Sequence, residues 1–289
     1  MKDIIHKRNI YYNNKDKCIK LKGNTIIVES MHYCYSHAIM DFIFPIFWIM
    51  KDILNNYNDD IFNLFIKIPQ HPNNYKIISN DKYIGVFDEL IKLLDINTII
   101  FEHKIETNVF FENAFYIESD GEWISKWQRG VWNCSYYYPQ RLFNINDVYF
   151  TDEQIYTNLR DFVKYVKNKY NIKDYKTENE MLIIDRKNDR KFDDDKLTKI
   201  INNIPNNINY KIVILEDMSL KEQIELFSSN NIFLFRHGSC LMNLLWIQEK
   251  SIIYDLDHQC DRPNIIKRIC QLTNSSHKYL NYFSSFIFP

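Results

Sequence analysis

Two α/β domains, each built on a largely parallel sheet, are what this sequence predicts, and three observations carry the prediction. The chain has 289 residues, 46% of them hydrophobic, which is long for one α/β core and sufficient for two. In the second half, short apolar runs alternate with helical patterns, the signature of βαβ units. The first half shows the same alternation less regularly, and a stretch rich in aromatics and asparagine, "GEWISKWQRGVWNCSYYYPQRLFNIND", separates the two. The expected domains are residues 1–150 and 151–289.

Taken in order, the first half offers "NTIIVES" as a strand, then the apolar run "AIMDFIFPIFWIM" from Ala38 to Met50 as a buried helix or helix pair. "YKIISN" reads as a strand. "VFDELIKLLDI" places Phe87, Leu90, Ile91 and Leu94 on one helical face, and "NTIIFEH" and "NAFYIES" close the half as strands. The second half opens on a capping box, Thr151 with Gln154, followed by Ile155, Leu159, Phe162, Val163, Val166 and Tyr170 at helical spacing. "MLIID", "KIVIL", "IFLF" and "SIIYDL" are its strands. Ser219 with Glu222 caps the helix "SLKEQIELFSS", and "RPNIIKRICQL" supplies another, giving one Rossmann-like layer over about residues 151 to 275.

Charge and composition exclude several classes. Lys plus Arg number 36 against 37 Asp plus Glu, a net charge of -1, so no overall basic field points to nucleic acid. Any anion site must be local. The longest apolar run is broken by Asp41 and Pro45 and is shorter than the roughly 20 residues a membrane span needs. The first residues lack the apolar core of a signal peptide, and the six cysteines show neither a CxxC pair nor ligand spacing. A cytoplasmic protein with reduced thiols is the expectation.

The stretch with most chemistry is "NIFLFRHGSCLMNLLW", Asn231 to Trp246, in which a strand runs into Arg236, His237, Gly238 and Ser239. With a helix expected from "CLMNLLWI", the turn presents backbone N–H groups at a helix start, where the dipole favours negative charge and glycine allows close approach of a phosphate. An Arg-His-Gly after a strand also occurs in the histidine phosphatases, but there it follows the first strand of the domain. Here it follows the third strand of the second half, so that chemistry is excluded by position.

The segment Leu215 to Leu256, "LEDMSLKEQIELFSSNNIFLFRHGSCLMNLLWIQEKSIIYDL", resembles the core of the glycosyltransferase 61 family: an acidic strand end, a capped helix with Glu-Gln-Ile, a strand, His-Gly-x-x-Leu-x-Asn and a final strand. "YSHAIMDFIFPIFWI", "FDELIKLLDI" and "LIIDRKNDRKF" resemble further blocks of that family in the same order, over about residues 25 to 260. Ser239 and Cys240 stand where the family usually has Ala-Gly, and Ala38 where it has Trp. The resemblance implies a GT-B arrangement, two Rossmann-like domains facing each other across a cleft. It implies inverting transfer from a nucleotide sugar held by the second domain to a hydroxyl of a glycan or glycoprotein, with no metal and no cofactor. The departures motivate an alternative, a binding module of a glycan assembly system without transferase activity.

Such chemistry needs cations or dipoles for the departing diphosphate and a base for the acceptor hydroxyl. Donor candidates are Arg186 and Arg190 after the first strand of the second domain, with His237, Gly238 and Ser239 at the turn. A guanidinium suits phosphate oxygens, although "DRKNDRKFDDD" equally reads as a solvated charge run. Asn243 either binds donor or caps the turn, and Glu216 either reaches a ribose hydroxyl or faces solvent. For the base the first domain offers His32, His37 and Asp41. His37 and Asp41 are four apart, on one face of a helix, so the carboxylate can orient the imidazole; the alternative is a satisfied polar pair at the start of a buried helix. Asp255 and Asp257 form an Asp-x-Asp, but at a late strand in an architecture of alternating strands and helices, and no metal is assigned to them.

Overall fold

In the computed structural model the described residues are 10–13, 18–28, 35, 38–57, 61–66, 89–96, 98–101, 108–117, 136–137, 152–173, 179–187, 191–236, 238–256 and 263–279. The expected strand "YKIISN" and most of the aromatic connecting segment lie outside them. The chain divides into two compact units, Met1–Phe162 and Val163–Pro289.

The first unit holds a six-stranded sheet. Its strands are β1 (Ile10–Asn13), β2 (Cys18–Val28), β3 (Phe62–Ile66), β4 (Thr98–Phe101), β5 (Asn108–Ile117) and β6 (Tyr136–Tyr137). The order is β4-β3-β2-β5-β6, with β1 also on β2. Pairing is parallel among β2, β3, β4 and β5 and antiparallel for β1 on β2 and β6 on β5, so the sheet is mixed. The register of β2 shifts between Leu21 and Asn24. Gly23 sits in that irregularity at φ +79, and a Cβ there would lie 2.6 Å from the Ile61 side chain, so glycine is required twice over.

"AIMDFIFPIFWIM" folds as a π-helix, Ala38–Ile43, running into α1 (Phe44–Tyr57). Pro45 has no N–H to give the carbonyl of Asp41 four residues earlier, and this is where the winding changes. Phe44 and Phe47 pack on Phe162, with ring centroids 5.9 and 5.4 Å away, and Lys51 pairs with Asp161. Phe162 belongs to α2 (Asp152–Lys169), and the division between the units falls inside this helix.

The second unit carries a five-stranded sheet of order β11-β10-β9-β7-β8, parallel throughout. Its elements are β7 (Glu180–Asp185), α3 (Asp194–Asn202), β8 (Asn209–Ile214), α4 (Leu220–Ser229), β9 (Ile232–Phe235), β10 (Ile252–Asp255), α5 (Pro263–Thr273) and β11 (Ser276–Tyr279). Residues 181–184 of β7 and the whole of β9 are unbroken apolar runs because both faces are covered. Met181, Ile183, Ile232, Leu234 and Tyr254 pack with Ile200 of α3 on one face. On the other, Phe227 of α4 stacks on Phe233 at 5.2 Å. The outermost strand β8 leaves Tyr210 and Ile212 exposed.

Two expectations are corrected. The layer extends past residue 275, because "SHKY" forms β11. "CLMNLLWI" is not an α-helix: Ser239–Trp246 is a 3₁₀-helix, with Leu241 N–H donating to Gly238 O at 3.1 Å. Every residue from Leu241 to Ile247 is buried, so packing on all sides, not one amphipathic face, decides the winding.

Candidate functional site

The order of the second sheet fixes where a ligand belongs. The chain goes from β7 outward to β8, then returns to lay β9 on the other side of β7. The carboxyl ends of β7 and β9 therefore flank the point where strand order reverses, the place at which open α/β sheets bind ligands. Arg186 follows β7, Glu216 follows β8 and Gly238 follows β9 by three residues.

These three expected residues come together. Arg186 Nε lies 3.4 Å from Glu216 Oε1, with side-chain exposures of 21% and 35%. Its Nη1 is buried and has no hydrogen-bond partner among the described residues, and it stands so close to the turn that a Cβ on Gly238 would meet it at 2.7 Å. A guanidinium nitrogen denied both water and protein acceptors is costly, and an anion at the turn would satisfy it. Next along the chain, Lys187 pairs with Asp217, so two successive cations after β7 meet two successive anions after β8.

The loop after β7 is held from two sides. Asp185, 4% exposed, accepts from the N–H groups of Arg186 and Phe192, each at 2.8 Å. Arg236 Nη1 donates to Lys191 O at 3.0 Å and its guanidinium lies 5.5 Å from the Phe192 ring centroid. Arg236 thus holds the loop that carries Arg186. Asp185 and Gln223 were not among the expected site residues. The signal for Asp185 was a lone acid ending an apolar strand.

Asn243 is fully buried, its Nδ2 donating to Gln223 Oε1 at 2.9 Å, and so faces the interior. Asp41 lies in the π-helix, and its pairing with His37 falls outside the described residues. Ser239 begins the 3₁₀-helix. His32, His37, Arg190, His237 and Asp257 lie outside the described residues. Asp255, 4% exposed at the end of β10, has His277 Nε2 at 3.8 Å. Among the described residues no three His, Cys, Asp or Glu side chains gather as a metal site, and no helix is long and apolar enough to cross a membrane. Cys270 is a free, buried thiol, and burial pushes its pKa up to about 12.

What the turn can do chemically is present the Arg186 guanidinium and the backbone at a helix start to an anion. No curated protein matches the chain in sequence. The family model for glycosyltransferase 61 matches residues 35–254, well over half of the chain. That match takes in β7, β8 and β9 with the turns bearing Arg186, Glu216 and Gly238, and the chain belongs to the glycosyltransferase 61 family.

Proposed function

We propose that this glycosyltransferase is an inverting enzyme that moves a sugar from a nucleotide-sugar donor to a hydroxyl of a glycan or glycoprotein acceptor, without a metal. The observation that carries the donor side is the Nη1 of Arg186, buried against Gly238 at the reversal point of the sheet and without a hydrogen-bond partner among the described residues. Arg186 and the Gly238–Ser239 turn take the diphosphate, with Arg190 and His237 beside them in sequence. Glu216 orients Arg186. On the acceptor side His37, supported by Asp41, removes the hydroxyl proton, and His32 is the second candidate base. The acceptor oxygen then bonds to the anomeric carbon of the donor from the face opposite the diphosphate, and the bond to the diphosphate oxygen breaks with its electron pair leaving on the diphosphate. Charge develops there, and preorganised donors in a water-poor site stabilise it without reorganising.

Calorimetry with a panel of nucleoside diphosphates tests the donor side. Arg186→Ala is expected to weaken binding by about 1–3 kcal/mol through loss of a charge-assisted hydrogen bond, and chelator is expected to leave binding and transfer unchanged. Unaltered affinity in Arg186→Ala would move the donor site elsewhere. On the acceptor side His37→Ala is expected to leave donor affinity intact and slow transfer by roughly 10²–10⁴-fold. Donor binding with no turnover in the wild type identifies a non-catalytic binding module instead.

A further inference from the structure

Gln223 sits on α4, 7% exposed, with its amide turned wholly inward. Nε2 donates to the carbonyls of Leu215 and Met218, each at 3.1 Å, and Oε1 accepts from Asn243 Nδ2 at 2.9 Å. Both N–H groups of the amide are thereby used. Leu215 and Met218 bracket Glu216 and Asp217, the two acids that face Arg186 and Lys187. Asn243 belongs to the 3₁₀-helix that starts immediately after Gly238. One side-chain amide therefore ties the turn after β8 to the segment after β9.

Magnitudes show why such a tie is needed. The contact between Arg186 and Glu216 is long, at 3.4 Å, and partly exposed on both sides, and pairs of that kind are too weak to fix a guanidinium by themselves. What the pair lacks in strength must come from rigidity of the backbone that presents Glu216. The short 3₁₀ turn Leu215–Asp217 is closed by Met218 N–H on Leu215 O at 3.0 Å, and Gln223 takes up the same carbonyl together with that of Met218.

We propose that Gln223, joined to Asn243, is the positioning residue for the Arg186 guanidinium. The amide fixes the turn from Leu215 to Met218, the turn fixes Glu216, and Glu216 holds Arg186 Nε while Nη1 stays at Gly238. The inference rests on the reading of Arg186 as the donor-phosphate residue. Its reach is the geometry of a preorganised anion site, where small misplacements are expensive.

Two variants separate positioning from mere stability. Gln223→Met removes the amide that Asn243 Nδ2 donates to, so it is expected to lower both the melting temperature and the affinity for uridine diphosphate. The double variant Gln223→Met with Asn243→Leu removes both partners, which restores much of the stability but leaves the Leu215 and Met218 carbonyls unanchored. Its affinity is expected to stay roughly tenfold below wild type, about 1.4 kcal/mol, with the ¹⁵N signal of Arg186 Nε, assigned by its loss in Arg186→Lys, displaced in both variants. Affinity that recovers along with the melting temperature overturns the inference, and so does an Arg186 signal that stays in place, whether or not uridine diphosphate binds. Wild-type protein that binds neither uridine diphosphate nor guanosine diphosphate overturns the donor-site reading, and the inference with it.

Discussion

At Gly238 the site depends on a missing side chain and not on a special backbone shape. Its φ of 167 and ψ of 179 are extended values open to any residue, whereas a Cβ would lie 2.7 Å from Arg186 Nη1. The atom that must give way is the far end of a flexible side chain, so Gly238→Ala should move the guanidinium and spare the fold. A melting temperature within about 2 °C of wild type is expected beside a nucleoside diphosphate affinity lowered roughly tenfold; a variant that binds as wild type does would detach Gly238 from the donor. Arg186, Glu216 and Gly238 were legible in the sequence because each stands just after an apolar run that reads as a strand. Arg236 was not given its part, because the position of a residue at a strand end does not say that its side chain turns back to Lys191 and Phe192. Gln223 was hidden for another reason: a glutamine in a capped helix ordinarily belongs to the solvent face. The available signal was its spacing from Leu220, Ile224 and Phe227, which are all buried.

Among elements, the loop after β7 decides how firmly Arg186 is held. Asp185→Ala would strand the N–H groups of Arg186 and Phe192, which now share one carboxylate oxygen. A cost of about 1–3 kcal/mol in chemical denaturation is expected, together with weaker nucleotide binding, and Asp185→Asn should recover part of both because its amide oxygen can still accept. A loss of stability with full affinity would show that the loop does not set Arg186. Strands β7 to β10 and helices α2 to α5 could be read from the chain because apolar runs four to six residues long alternate with capped, amphipathic segments. Strand β11 could not: Ser276, His277 and Lys278 carry no apolar run, and its place comes from pairing with β10. Nor could the winding after Gly238, since a segment buried on every side leaves no 3.6-residue signature to separate α from 3₁₀.

At the scale of the molecule, each unit holds its own sheet, and the family match runs from the first into the second. The alternation of strands and helices foretold a parallel sheet holding β2, β4 and β5, but not β3, which no expected strand covers, nor the antiparallel β1 and β6, whose pairing depends on neighbours distant in sequence. The open flank of the second sheet has a consequence of a different kind. Among the described strands β8 ends the sheet, and Tyr210 and Ile212 stand 44% and 41% exposed along it. A flat apolar border of that sort recruits other chains, and natural sheets blunt it with lysine, of which β8 has only Lys211. The colloidal behaviour of the protein should therefore be governed by this border, far from any question of transfer chemistry. Ile212→Lys is expected to reduce light scattering in concentrated samples while nucleotide affinity stays at the wild-type value; scattering that does not fall would assign self-association to another surface.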